Sequence, residues 1–432
     1  MITRIEIDGF KSFLDFALDV PPFLAVIGRN ASGKSNLLDA LVFAAAVARG
    51  DRLLDAVVSA RGDATSLFHR RADGTVVDRM RFALEFSLSR EDLDARSPEE
   101  DAGYFPTSWR YEVELRLVPQ PRREVLRVVS EVFSPFGSPR FPENGRRFPP
   151  PAVQVATRSR DHLLIPDRER QVGEYEDNYL DWVPGSICAE ELNSVMVLRL
   201  EPTELARPSP LGHEVTLSPV GAGLAGYLQG IVEATVSEDH PEGVLPLIKA
   251  RLTRLVREVT DFDLVTDPHR GDVRLRFASR HHTGFEADQA SDGTLRILAV
   301  LAALYDPRRR GLLAVEEPEN GVFPERLRDL IEITRQEVHD RDWLRSWRAP
   351  NDEAGAQVLV TSHSPVLLDV VPRDEIVLLD NATRVGGGVA PSAVTRPRRL
   401  AAVGEVPQRD ASGVPVVAEA ELERFRVAAR GA

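Results

Sequence analysis

Eight consecutive residues, Gly28-Arg29-Asn30-Ala31-Ser32-Gly33-Lys34-Ser35, carry the spacing G-x-x-x-x-G-K-[ST]. Two glycines let a backbone curl so that successive N–H groups point inward at phosphate oxygens. A lysine at this position reaches the outer phosphates, and the following hydroxyl ligates Mg²⁺. The apolar run Phe23 to Ile27 leads in, and a helical pattern opens near Asn36. Those are the buried strand and the positive helix N-terminus that such a loop needs. The chain holds only three lysines, Lys11, Lys34 and Lys249, against 51 arginines, so a chance lysine here is improbable. The pattern implies a nucleoside triphosphate cradled by Gly28 to Asn36, with Ser35 on the metal.

A second set of residues follows in an order that fits the same chemistry. Ser291-Asp292-Gly293-Thr294 opens a very apolar helix, Leu295 to Tyr305. Ser291 or Asp292 would cap its free N–H groups, and a serine, a glycine amide and a helix N-terminus make another phosphate-binding surface. Alone, that string is more often plain capping. The strand Leu312 to Val315 ends in Glu316-Glu317. Two carboxylates at the end of a buried strand need a cation or a proton. Glu316 suits orienting Mg²⁺ or its water, and Glu317 suits activating the attacking water. Pro318-Glu319-Asn320-Gly321 reads as a tight turn, and Pro324 starts a helix that crosses over to a parallel strand, Gln357 to Val360. That strand runs into Thr361-Ser362-His363-Ser364-Pro365, placing an imidazole at the same sheet edge.

The elements that must hold these groups can be read around them. Short strands containing Ile2, Ile5, Ile7, Phe16, Leu18 and Val20 precede the loop, and the helix after it, Asn36 to about Arg49, is apolar on nearly every side. Met80–Leu88, Trp109–Val118 and Glu124–Phe133 alternate as an antiparallel meander. Residues 134–190, rich in Pro, Arg and Gly, read as a lid-like insertion. A strand at Ser194–Leu200 and helices near Ala222–Val236 and Gly243–Glu258 follow. Asp261-Phe262-Asp263 reads as a turn between helix and strand. After His363 the pattern gives one strand, Glu375–Leu379, a Gly- and Pro-rich loop, and a helix from about Ala418.

Composition is that of a globular protein, with 43% hydrophobic and 28% charged residues. No apolar run is long enough to span a bilayer, and the first residues read as a strand instead of a signal peptide. Cys188 is the single cysteine, which excludes an intramolecular disulfide and makes a cytoplasmic location the expectation. The net charge of −13 argues against a broadly basic surface. The pairs and triplet Arg70-Arg71, Arg122-Arg123, Arg146-Arg147, Arg308-Arg309-Arg310 and Arg398-Arg399 read as solvated surface.

Taken in order, these motifs resemble the bacterial ABC-type P-loop ATPases of the RecF, SMC and overcoming-lysogenization-defect group, most of all stand-alone members whose Walker B strand ends in E-E-P-E-N. Gly9-Phe10-Lys11-Ser12-Phe13 and Asn30 match that group as well. The resemblance covers residues 1–50 and 285–380 and is looser between. It implies an α/β fold: an ATPase head with a mixed, largely parallel core sheet, an antiparallel β subdomain and an irregular or helical insertion. The implied organisation is 1–75 for the N-terminal lobe with Walker A, and 76–190 for the β subdomain and insertion. Residues 191–385 would form the C-terminal lobe, and 386–432 a tail.

The resemblance further implies ATP and Mg²⁺ as ligands. Ser291-Asp292-Gly293-Thr294 corresponds to the signature motif that contacts the γ-phosphate held by a partner subunit. Glu316 corresponds to the metal-directed acid, Glu317 to the general base, Glu319-Asn320-Gly321 to the D-loop and His363 to the switch histidine. Phe323 stands where a histidine is common, and no glutamine-loop residue is evident; the stretch after Ser66-Leu67-Phe68-His69 is the place to look. The active form implied is a head-to-tail homodimer with ATP at its interface, open to further assembly. Relatives with a nuclease domain carry it C-terminally. The stretch after His363 is short for one, so a separately encoded effector nuclease, in anti-phage defence, is the expected partner. The alternative is a RecF-like clamp in which ATP holds the protein on DNA. Coupling to a membrane transporter is disfavoured by the long β-rich middle.

Overall fold

The computed structural model describes residues 1–49, 51–97, 103, 105–119, 124–135, 183–211, 215–282, 284–339, 357–386, 389–401 and 416–430. The chain opens with β1 (Ile2–Asp8), β2 (Phe16–Asp19), β3 (Phe23–Ile27), α1 (Lys34–Arg49) and α2 (Leu53–Ser59). Then come β4 (Arg79–Ser87), α3 (Arg90–Arg96), β5 (Ser108–Pro119), β6 (Glu124–Pro135), α4 (Val183–Asn193) and β7 (Met196–Leu198). The middle holds α5 (Pro202–Leu205), β8 (Ser209–Pro210), α6 (Leu224–Thr235), α7 (Leu245–Leu255), β9 (Val259–Asp267), β10 (Asp272–Ser279) and β11 (Phe285–Glu286). Last are α8 (Asp292–Leu304), β12 (Leu312–Glu316), α9 (Pro324–His339), β13 (Gln357–Ser362), α10 (Leu367–Val370), β14 (Ile376–Gly386), β15 (Val389–Arg399) and α11 (Glu419–Arg430).

The central sheet has the order β15-β14-β3-β13-β12-β7. Every pairing in it is parallel except β14 with β15. Its inner strands are apolar without interruption because both faces are covered. Leu24, Val26, Leu312, Ala314 and Leu359 point into one core, which they share with Leu37, Leu38 and Phe43 of α1. Their neighbours Phe23, Ala25, Ile27, Leu313, Val315, Val358 and Val360 point into the other, shared with α8 and α9. The period-2 alternation of strand side chains therefore builds a helix–sheet–helix sandwich.

A second, antiparallel sheet has the order β2-β1-β4-β5-β6. The meander expected from Met80 is present, and β1 joins it through β4, so strand pairing runs across the expected 75/76 boundary. Phe10, Phe43 and Phe82 seal this sheet onto α1, with Phe10 and Phe82 edge to face at 5.3 Å. A third, small sheet of β8 to β11 packs Phe262 and Phe277 beneath α6 to α8.

Three readings need correction. The Gly- and Pro-rich loop expected after Leu379 is a strand, β15, hairpinned onto β14. Its Pro391 and Pro397 are tolerated because β15 is an edge strand. Asp261-Phe262-Asp263 lies inside β9, not in a turn: Phe262 is buried while both aspartates reach Lys249 at 3.0 and 2.9 Å. Within the stretch 134–190, β6 continues to Pro135 and α4 begins at Val183; residues 136–182, where the lid-like insertion was expected, lie outside the described residues, as do Arg122-Arg123 and Arg146-Arg147. Cys188 is buried in α4, as expected of a small apolar side chain, and burial pushes its thiol pKa up.

Candidate functional site

Register sets the site. In the central sheet Ser362 pairs with Ile27, Thr361 with Glu316, and Leu378 with Ile27 on the other side. The strands β3, β13 and β12 therefore end flush, and the residues that follow them, Gly28, His363 and Glu317, emerge at one edge. That carboxyl edge of a parallel sheet is where α/β folds place ligands.

The loop Gly28 to Gly33 wraps back on itself there, with Ala31 at φ 63° and Gly33 at φ 102°. Both motif glycines are required by space. A Cβ on Gly28 would sit 2.5 Å from Ser32 Oγ, and one on Gly33 only 2.2 Å from Thr395 Oγ1. The hairpin β14–β15 braces the loop from outside: Asn381 Nδ2 donates to Ala31 O at 3.1 Å and Thr395 Oγ1 to Ser32 O at 3.0 Å. Thr395 Oγ1 also lies 2.8 Å from Ser12 Oγ, which accepts from Asn36 Nδ2 at 2.9 Å. Arg29, Asn30 and Ala31 are exposed at the tip, while Ser32, Gly33 and Lys34 are buried.

Lys34 Nζ donates to Gly28 O at 2.8 Å and Arg29 O at 3.2 Å. Burial lowers its pKa, opposed by the facing carboxylates Glu317, Glu319 and Glu316. A desolvated ammonium held by two neutral carbonyls has an unmet demand for an anion. Ser32 Oγ, Glu319 Oε2 and Thr361 Oγ1 are likewise buried without hydrogen-bond partners. These observations fit a triphosphate and its metal. Among the described residues no three His, Cys, Asp or Glu side chains converge as a metal cage. Mg²⁺ needs none, since it is bound through one or two protein groups plus phosphate oxygens.

Glu317, just past β12, stands in the left-handed region at φ 46°, a strain of about 1–3 kcal/mol that sites of chemistry tend to store. Its N–H donates to Thr361 O at 2.9 Å, and its Oε2 accepts from Asn320 Nδ2 at 3.2 Å. His363 Nδ1 lies 3.5 Å from Glu317 Oε1 and 3.2 Å from Glu319 Oε1. Glu319 Oε1 also accepts from Ser362 Oγ, His363 N and Ser364 N at 2.6, 2.8 and 3.2 Å. The turn after β12 thus holds the turn after β13, and His363 between two carboxylates.

The structure gathers Lys34, Glu316, Glu317 and His363 at one edge. Ser291 caps α8, its Oγ accepting from Thr294 N at 3.2 Å. A Cβ on Gly293 would lie 2.5 Å from Gly321 O, so this turn packs on the Glu319–Gly321 turn. Ser291 and Asp292 face solvent. Sequence reasoning missed several contributors: Glu319 as the brace of His363, Thr395 and Asn381 as the backing of the loop, and Arg199 beside Glu316. The described stretch after His69, residues 70–97, holds no glutamine. Ser66 to His69 serve the fold instead and anchor Lys11, whose N–H donates to Leu67 O at 2.8 Å and whose carbonyl meets His69 Nδ1 at 2.7 Å. Of the arginine clusters, Arg308 pairs with Asp306, Arg310 with Glu190, Arg398 with Glu421, and Arg309 holds Ala303 O and Gly311 O.

Solved structures share this architecture. A head domain of Smc with a coiled coil and joint, from Pyrococcus yayanosii, superposes with a TM-score of 0.53 at 10% identity, covering 93% of this chain and 97% of that one. A SmcHead bound to the C-winged helix domain of ScpA gives 0.52 at 13%, covering 91% and 97%. In sequence, 43 residues are 49% identical to the chromosome partition protein Smc of Methanocaldococcus jannaschii; the match spans 10% of this chain and 4% of that protein. The fold is thus that of SMC-head ABC-type ATPases. Residues 23–369, well over half of the chain, match the model of the family described as "AAA domain, putative AbiEii toxin, Type IV TA system", and the chain belongs to that family of P-loop ATPases.

Proposed function

We propose that the protein binds Mg²⁺-ATP in the Gly28–Asn36 cradle and hydrolyses it in a head-to-tail homodimer. The observation that carries this is a buried, charge-starved Lys34 at the same sheet edge as Glu316, Glu317 and His363. The loop amides and Lys34 bind and orient the phosphates, and Ser35 and Glu316 hold the metal. Bound Mg²⁺ supplies charge neutralisation at the γ-phosphate. Glu317 takes a proton from the attacking water, and His363 orients it. Positioning and preorganised charge do most of the work in this chemistry. The exposed Ser291-Asp292 turn, packed on the Asn320-Gly321 turn and open to solvent, suits a site completed by a second copy.

ATP-driven pairing is read as the control of a separately encoded effector, a nuclease, in anti-phage defence. The family description, which reads "putative AbiEii toxin, Type IV TA system", supports the defence part of that reading; the nuclease partner rests on the family resemblance. The test uses fluorescent-ATP binding and size-exclusion chromatography with light scattering. Lys34→Ala is expected to lose binding by at least a hundredfold, and Glu317→Gln to keep it and accumulate an ATP-dependent dimer that Ser291→Arg abolishes. Undiminished ATP binding by Lys34→Ala would refute the site.

A further inference from the structure

The described residues place a cation directly on the proposed metal-directed carboxylate. β7 runs parallel to β12 with Leu198 opposite Val315, so Arg199, the next residue, comes level with Glu316. Its backbone is pinned there by the bond from Arg199 N to Pro219 O at 2.6 Å. Arg199 Nε then donates to Glu316 Oε2 at 2.8 Å, and its Nη2 to Asp39 Oδ1 at 2.6 Å. Asp39 is 1% exposed and lies on α1 one helical turn after Ser35, on the same face. Its carboxylate also gathers Lys11 Nζ at 2.5 Å and the Arg61 guanidinium at 2.9 and 3.1 Å.

We propose that Arg199 is a positioning residue for the metal site: by bridging Asp39 on α1 to Glu316 on β12, it fixes the gap between Ser35 and Glu316 across which Mg²⁺ is held. The inference rests on the nucleotide-binding reading above. A planar guanidinium presents several donors in a rigid fork, so it can hold two carboxylates at a set separation and orientation; a lysine ammonium is a point charge on a flexible stem. Arg199 occupies Oε2 of Glu316, and no described residue donates to Oε1, which remains for the metal or its water. The side chains of Arg199 and Glu316 are only 15% and 14% exposed, so water screens the pair little. Without the bridge, two carboxylates face one another and Glu316 swings free of the Ser35 turn.

The test separates metal capture from folding. On the full chain, fluorescent-ATP affinity is measured in EDTA and across a Mg²⁺ titration, with circular dichroism and melting temperature as controls for fold. The variants are Arg199→Ala, Arg199→Lys, and Arg199→Ala combined with Glu316→Gln. In EDTA, affinity is expected to stay within about twofold of wild type, because the loop and Lys34 are untouched. The Mg²⁺ concentration for half-maximal tightening should rise at least tenfold in Arg199→Ala and by less in Arg199→Lys. On Glu316→Gln the second substitution should add nothing further, as expected for residues acting as one unit. An unchanged or lowered Mg²⁺ midpoint in folded Arg199→Ala overturns the proposal, as does full additivity with Glu316→Gln. Should Arg199→Ala not fold, Arg199→Lys decides by the same midpoint. Wild type that binds no ATP overturns the nucleotide reading and this proposal with it; wild type that responds to Mg²⁺ beside indifferent variants overturns this proposal alone.

Discussion

Replacing Glu319 should separate nucleotide binding from turnover. Its Oε1 accepts from Ser362 Oγ, His363 N and Ser364 N at 2.6, 2.8 and 3.2 Å, and its side chain is 8% exposed. Hydrogen bonds to a charged acceptor contribute about 1.5–3 kcal/mol each, and a buried donor left without an acceptor costs about 1–3 kcal/mol. Three such donors lose one shared acceptor in Glu319→Ala, and the turn can relax, so the sum is not additive. A loss of about 3–5 kcal/mol follows, within the range for breaking a buried polar network. Glu319→Gln keeps the acceptor oxygen and removes the charge, which should cost about 1–2 kcal/mol on the same scale. Urea unfolding followed by circular dichroism reads both. The released turn carries His363, and a misplacement near 1 Å costs about a hundredfold in rate. ATP affinity should stay within a few fold, since Lys34 donates to Gly28 and Arg29 and not to Glu319. Ser362→Ala removes one donor and should cost about 1 kcal/mol, with no added effect in Glu319→Ala. An unfolding midpoint in Glu319→Ala equal to wild type would show that the three donors find water or other acceptors and that the brace does not exist.

Two further outcomes follow from the loop. Burial lowers the Lys34 pKa from 10.5, so the folded state resists the charged form. Below the lowered folded-state value that penalty is present in full, and it is relieved as pH climbs from there toward 10.5, because the unfolded chain then holds more protons. Nucleotide-free Lys34→Met should therefore melt higher than wild type at pH 7, and the gap should narrow at alkaline pH; a gap that widens with pH contradicts the assignment. Gly33→Ala meets both φ 102° and Thr395 Oγ1 at 2.2 Å. The backbone strain alone is about 1–3 kcal/mol, so Thr395→Ala should rescue the steric share and leave that remainder, measured by urea midpoints of the single and double variants. Complete rescue would mean that the loop accepts a side chain at that φ.

What could be read in advance was whatever depends on residues close together in the chain. The phosphate loop, the Glu316-Glu317 strand end and the Ser362-His363 strand end each declare themselves within eight residues, because strand burial and turn chemistry are local. That β12 and β13 end at one sheet edge followed from the crossover through α9, which makes them parallel. The side chains that tune the site are separated from it by the fold. Arg199 lies 117 positions from Glu316, and Thr395 lies 383 from Ser12. Their partners are set by sheet register and by a hairpin whose Pro391 and Pro397 disguise it as a loop. The Asp261-Phe262-Asp263 error has a similar origin: its aspartates suggest a turn, yet Phe262 faces a core and Lys249 neutralises both.

The same long-range contacts explain how Lys34 keeps its charge for a ligand. Three carboxylates lie near enough to raise its pKa, yet it bonds only to main-chain carbonyls. Each of the three is engaged elsewhere: Glu316 by Arg199, Glu317 by Asn320, and Glu319 by Ser362 and two amides. A direct ion pair would have to be broken before a phosphate could bind, at the cost of a buried pair. With two neutral carbonyls as its partners, Lys34 would instead exchange ion–dipole bonds for bonds to an anionic acceptor on phosphate binding. The water was stripped from the ammonium when the chain folded, so that desolvation is not repeated on binding. Asn320 and the β13 turn thus act on Lys34 without touching it, by engaging Glu317 and Glu319, the two carboxylates that weigh most on its pKa.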